Sequence, residues 1–126
     1  MERNSILVVD DELLIRDLLY DFFTEQGWDI AIAESGEKAL EILRSKEVDL
    51  LLTDLKMPDM DGLALTSHVK ASHPDMPVVI MTGYPSVDSA VSALRQKVAD
   101  YIIKPFNISQ LYRTVQEKID EKRGKE

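Results

Sequence analysis

Five short apolar runs constrain this chain more than any other feature. They occupy residues 6–9, 30–33, 50–53, 78–81 and 101–103, and their ends fall about two dozen residues apart. Each is rich in Val, Ile and Leu, and most lack polar alternation. Strands buried on both faces read this way. The gaps leave room for one helix between successive strands, which is the repeat that parallel pairing requires. The pattern predicts five βα units, an α/β (βα)5 chain with helices on both faces of a parallel sheet.

The intervening segments carry helical signals. In the first, Leu14, Leu18 and Phe22 share a face, with Leu19 and Phe23 beside them, and Gly27 is placed to stop the helix. The second begins near Ser35-Gly36 and carries Ala39, Leu40 and Leu43. Asp61 is a good N-cap for the third, which ends before Pro74. The fourth has the cleanest stripe, Val87, Ala90, Val91 and Leu94. Asn107 caps the fifth, with Gln110 three residues on and an apolar stripe of Ile108, Leu111, Val115 and Ile119. No linker or repeat interrupts the pattern, so residues 1–126 are expected to form one domain, with 120–126 frayed.

Composition removes several classes of function. The chain has no cysteine, which excludes disulfides, thiolate zinc sites and cysteine nucleophiles. Its net charge of −8 disfavours direct contact with nucleic acid or an anionic membrane. No apolar run approaches the ~20 residues that span a bilayer, and the first residues lack a signal-peptide stretch. The expectation is a soluble, cytoplasmic protein.

Ligands of open parallel sheets sit beyond the carboxyl ends of the strands. Asp10, Asp11 and Glu12 follow the first run, Asp54 the third, Thr82 and Gly83 the fourth, and Lys104 and Pro105 the fifth. The topology therefore gathers two or three carboxylates, a hydroxyl and an ammonium at one edge. Two carboxylates about 4 Å apart repel by roughly 4 kcal/mol at an effective dielectric of about 20. Either some protonate or a hard cation binds. All-oxygen donors suit Mg2+, which favours one or two carboxylates plus phosphate oxygens. Asp54 could then act as a nucleophile toward a phosphoryl group, with Lys104 and Thr82 holding the transferred oxygens.

The set Asp10-Asp11, Asp54-Leu55-Lys56-Met57-Pro58, Thr82-Gly83 and Lys104-Pro105-Phe106 resembles the receiver domain of two-component response regulators, of chemotaxis-regulator-like fold. The resemblance runs from about residue 5 to 119. It implies the flavodoxin-like strand order 2-1-3-4-5 and Asp54 as acceptor of phosphate from a sensor histidine kinase. It further implies Mg2+ held by Asp11, Asp54 and the Lys56 backbone carbonyl, with Asp10 acting mainly through water. Thr82 and Lys104 would meet the phosphoryl oxygens, Tyr101 would be the switch aromatic, and the Lys104–Pro105 bond would be cis. Such a protein assists its own phosphorylation and dephosphorylation without being a turnover enzyme. It signals through the fourth helix, fifth strand and fifth helix to an output domain or effector, with phosphorylation-dependent homodimerisation open. Residues 82–86 and 101–106 look more like receivers of the nitrogen-regulator (NtrC-like) type than motor regulators, which implies transcription-related output. The chain departs from the family at Lys97-Val98, where Gly-Ala is common, and this leaves the end of the fourth helix open.

Rival readings fit less well. A haloacid-dehalogenase-type phosphatase needs an acid two residues after its nucleophile, and Lys56 stands there. A flavodoxin-like carrier needs a phosphate loop where Asp10-Asp11-Glu12 would repel one. A phosphorylation-independent interaction module would not need the complete residue set. His68 and His73 lie at no strand end and are expected to be solvent-facing. Trp28 reads as packing, and Met57 and Met60 as core or cleft rim. The acidity is uneven: residues 1–63 carry 16 acids and 6 bases, and residues 64–126 carry 7 and 9.

Overall fold

A computed structural model describes residues 3–124. The elements alternate in order: β1 (Ser5–Val9), α1 (Leu13–Glu25), β2 (Asp29–Ala33), α2 (Gly36–Ser45), β3 (Leu50–Asp54), α3 (Gly62–Ser72), β4 (Val78–Thr82), α4 (Val87–Arg95), β5 (Asp100–Ile103) and α5 (Ile108–Gly124). All four strand pairings are parallel, and the order across the sheet is β2-β1-β3-β4-β5. The (βα)5 architecture and the 2-1-3-4-5 order are thus both present.

Strand side chains alternate between the faces of a sheet, and this alternation splits the core in two. Leu7, Val9, Leu51, Val78 and Ile80 pack under α2, α3 and α4 with Ala39, Leu43, Leu65, Val69 and Ala93. Ile6, Val8, Leu50, Leu52, Val79 and Met81 pack under α1 and α5 with Leu19, Phe23, Leu111, Val115 and Ile119. Because both faces are covered, β1, β3 and β4 read as continuous apolar runs. Trp28 is core, as expected: it packs edge-on against Phe23, with ring centroids 5.0 Å apart, and donates its Nε1–H to the Tyr112 hydroxyl at 3.2 Å. Met57 is buried in the α2/α3 layer and Met60 packs against it, so both belong to the core.

Helix caps fall where the side chains can supply them. Ser35, Asp61, Ser86 and Asn107 accept from the backbone N–H of Lys38, Ala64, Ser89 and Gln110. Gly27 closes α1 at φ +82°, a conformation that costs an L side chain energy.

Three expectations need correction. In α1, Leu14 and Leu18 face solvent at 80% and 48% exposure, and the buried residues are Leu19 and Phe23. The helix has apolar residues around so wide an arc that spacing alone could not show which stripe meets the sheet. In α4 the reversal is complete, because Val87, Ala90, Val91 and Leu94 all face outward. The inward stripe is Ser89, Ser92, Ala93 and Gln96, small or polar residues. The expected fraying from residue 120 gives way to regular helix through Gly124. There Arg123 donates to Asn4 Oδ1 at 2.7 Å and pairs with Asp49 at 3.3 Å. Residues 125 and 126 lie outside the described part.

The departure at Lys97-Val98 also has an outcome. α4 stops at Arg95, and Lys97 itself takes the left-handed conformation, φ +60°, that glycine adopts freely.

Candidate functional site

The carboxyl edge of the sheet assembles the residues named from sequence. Asp54 is the last residue of β3 and is buried, with its Oδ1 accepting from the Leu55 N–H at 2.9 Å. Asp10 directly follows β1 and has no exposed surface; its Oδ1 accepts from the Glu12 N–H at 2.9 Å. Lys104 directly follows β5. Its ammonium donates to Asp10 Oδ2 at 2.7 Å and stands 3.5 Å from Asp54 Oδ1 and 3.6 Å from Glu12 Oε1. The Lys104–Pro105 peptide bond is cis, and the Lys104 N–H is held by the Thr82 carbonyl at 2.8 Å.

The alternation along the strands divides these groups. Asp10, Asp54 and Lys104 continue the positions that face α1 and α5, whereas Thr82 and Tyr101 share the positions that face α3 and α4. Thr82 is buried, and its Oγ1 accepts from the Tyr84 N–H at 3.0 Å, which leaves its hydroxyl proton available as a donor. Tyr101 is half-buried against the α4 layer.

The electrostatics follow from burial. Burial pushes the Asp54 carboxyl up to about 6, and the neighbouring Asp10 charge adds to the rise while Lys104 opposes it. Asp10 is likewise raised, by burial first, against the pull of Lys104. For Lys104, burial disfavours the charge, but the bond to Asp10 and the surrounding carboxylates outweigh it and raise its pKa. One ammonium therefore serves several carboxylates, and the cleft retains an excess of negative charge.

Asp10, Glu12 and Asp54 each offer a carboxylate oxygen, all within 4.8 Å of one another. Asp11 is exposed and stands outside this group. The Lys56 side chain is also exposed, and its carbonyl enters no hydrogen bond among the described residues. The donor set is all oxygen and anionic, which fits a hard divalent cation such as Mg2+.

Three contributors were given no role from the sequence, although Glu12 was placed at this edge. Glu12 is the N-cap residue of α1 yet makes no side-chain cap bond, because its carboxylate turns toward Lys104. Its position after Asp10-Asp11 was the available signal. Arg16 donates to the Asp10 carbonyl at 2.8 Å and braces the loop. Gly62 lies so close beneath the site that a Cβ there would sit 2.3 Å from the Asp54 carbonyl oxygen. Only glycine lets α3 start against the end of β3.

Comparison with known proteins agrees with this geometry. The response regulator receiver domain family matches residues 6–116. The DNA-binding transcriptional regulator NtrC of Escherichia coli K12 is 43% identical over 119 residues, covering 94% of this chain and 25% of the relative. The transcriptional regulatory protein ZraR of the same strain is 42% identical over 112 residues, covering 89% and 25%. The chain thus spans about a quarter of the length of these curated relatives. Among solved structures, a CheY-like receiver domain protein from Methanospirillum hungatei superposes with TM-score 0.96 at 30% identity, covering 99% of this chain and 100% of the other. NtrX from Brucella abortus superposes with TM-score 0.91 at 32% identity, covering 98% and 29%. No helix among the described residues is long and apolar enough to cross a membrane. The chain belongs to the response regulator receiver domain family, in its NtrC-like branch.

Proposed function

We propose that this chain is the phosphoacceptor module of a two-component pathway and that Asp54 receives the phosphoryl group from a sensor histidine kinase or a small donor such as acetyl phosphate. The observation that carries the reading is the buried Asp54 carboxylate, 3.5 Å from the Lys104 ammonium and within the carboxylate cluster of Asp10 and Glu12. In the transfer, an Asp54 oxygen bonds to phosphorus as the bond from phosphorus to the donor breaks, a P–N bond in phosphohistidine or a P–O bond in acetyl phosphate. The electron pair leaves with the imidazole or with acetate.

Each residue has a task in that step. Asp54 is mostly ionised at neutral pH, since its pKa lies at about 6. Lys104 supplies positive charge beside the incoming oxygens, and its hold on Asp10 keeps it aimed into the cleft. Thr82 turns its free proton toward a phosphoryl oxygen, releasing Tyr84 N–H. Asp10, Asp11, Asp54 and the Lys56 carbonyl would hold Mg2+, with Glu12 near enough to contribute. An Mg2+ ion bound there would supply neutralising charge for the acceptor and the transferred group, much of what phosphoryl transfer asks of its site.

The chain acts stoichiometrically rather than as a turnover enzyme. The exposed Lys56 stands two residues beyond Asp54, where a phosphatase of the aspartyl-phosphate type would carry its acid. The relatives NtrC and ZraR are described as transcriptional regulators, which supports an output in transcription through a separate effector region, reached by α4, β5 and α5. Asp54→Asn should abolish Mg2+-dependent labelling by acetyl [32P]phosphate while leaving the fold intact. Retained labelling would place the acceptor elsewhere.

A further inference from the structure

Tyr101 is the residue through which the cleft would reach α4, and its hydroxyl is not free. It lies 2.7 Å from Ser89 Oγ in the first turn of α4. Ser89 is in turn built into the cap of that helix. Its N–H is received by Ser86 Oγ at 3.1 Å, its own hydroxyl lies 3.2 Å from the Ser86 carbonyl, and Ser86 Oγ–H donates to Ser89 Oγ at 2.9 Å.

A serine hydroxyl has one proton and two lone pairs. Ser89 can give its proton to the Ser86 carbonyl at 3.2 Å or to Tyr101 at 2.7 Å, and either hydroxyl can be the donor in the bond to Tyr101. The tyrosine ring is therefore tied to the N-terminal cap of α4, only a few residues beyond Thr82.

The other end of the helix is held differently. Gln96 Oε1 is buried with no hydrogen-bond partner among the described residues, and Lys97 occupies the left-handed region. The sheet-facing stripe between the ends is small, with Ala93 its one wholly buried residue. Tyr101–Ser89 is thus a principal polar fastening of α4 to β5, at the end nearest the phosphoacceptor cleft.

We propose that Ser89 is a positioning residue that sets the resting equilibrium of Tyr101 and α4, and so the ease with which phosphorylation at Asp54 shifts this face. The proposal rests on the receiver reading given above. Moving the ring requires Tyr101 to surrender its bond to Ser89. Without that bond the population of the moved arrangement should rise about 2- to 10-fold, the range one neutral hydrogen bond commands. Because a receiver and its phosphodonor are linked through the same two states, labelling should quicken in the same sense.

The test compares wild type, Ser89→Ala, Ser89→Thr, Tyr101→Phe and the Ser89→Ala/Tyr101→Phe double variant. Amide chemical shifts of α4 and β5 are recorded without ligand and with Mg2+ and beryllofluoride, and labelling by acetyl phosphate is timed. Without ligand, Ser89→Ala and Tyr101→Phe should both move along the line toward the beryllofluoride-bound positions. The double variant should move no further than either single one, and Ser89→Thr, which keeps the hydroxyl, should stay near wild type. Additive effects, or shifts confined to the neighbours of each substitution, would overturn the role of Ser89. Failure of wild type to label at Asp54 would overturn the receiver reading itself, so the two failures are distinguishable.

Discussion

The cleft at the ends of β1 and β3 and the edge formed by α4 and β5 are built on opposite plans. At the cleft, Asp10 and Asp54 are buried, Lys104 bonds Asp10 at 2.7 Å, and like charges are forced together around that one ammonium. At the edge, the apolar stripe of α4 faces solvent, its inward face is serine and alanine, and its last turn ends on a left-handed lysine. The difference teaches where each kind of precision lies. The cleft holds buried charges together despite their repulsion, whereas α4 is attached by a small, partly polar inward face of the kind that opens more readily.

The largest effect that would test the rigidity of the cleft is Gly62→Ala. A Cβ there meets the Asp54 carbonyl oxygen at 2.3 Å and the Leu55 Cα at 3.1 Å, both backbone atoms that cannot swing aside. We expect a loss of roughly 3 kcal/mol or more, at or above the upper end of overpacking costs, in a urea melt. A loss below about 1 kcal/mol would show that the end of β3 yields more than its packing implies.

Next in size is the charge strain. The Asp54 pKa is raised from 3.8 to about 6, so the folded state binds its proton more tightly than the unfolded state does. Its contribution to stability is therefore full below pH 3.8 and is lost as pH rises through 6, with Asp10 acting in the same direction. In EDTA, Asp54→Asn should be more stable than wild type by roughly 2–3 kcal/mol at pH 7.5, since one unit is worth about 1.4 kcal/mol. At pH 4.5 most of that gap should close. A gap independent of pH would mean that the crowding is relieved by other means. The same logic moves the site of strain away from Asp11, which is exposed, to the buried pair.

The edge is probed by smaller changes. Lys97→Gly relieves the left-handed lysine and should stabilise the protein by about 1 kcal/mol, in the range of such strain. Destabilisation would show that the lysine side chain holds the turn. Leu94→Ser should change stability by less than about 0.5 kcal/mol, since Leu94 is 76% exposed. A Leu65→Ala control in the core should cost about 2–5 kcal/mol. A large effect at Leu94 would break the contrast between the two regions.

The fold was legible because a doubly covered parallel sheet needs uninterrupted apolar strands. Runs ending at Val9, Thr53 and Met81 can hardly be anything else. The cleft was legible for the same reason, since Asp10, Asp54, Thr82 and Lys104 each stand at or next to a run's carboxyl end. The faces of α1 and α4 were not. Periodicity shows that Val87, Ala90, Val91 and Leu94 share a stripe, but their burial depends on what the helix meets. Glu12 was placed at this edge without a role, and only the fold reveals that its carboxylate stands 3.6 Å from Lys104.

The amino-acid sequence alone thus determines the number and order of the elements and the residues delivered to the carboxyl edge of the sheet, because both follow from local patterns repeated along the chain. The tertiary structure decides which carboxylates actually meet, how far burial raises their pKa values, and which side of α4 is hidden. Those outcomes depend on groups distant in sequence. Lys104 reaches Asp10 across 94 residues, and Tyr101 reaches Ser89 only because β5 lies beside β4 under the start of α4.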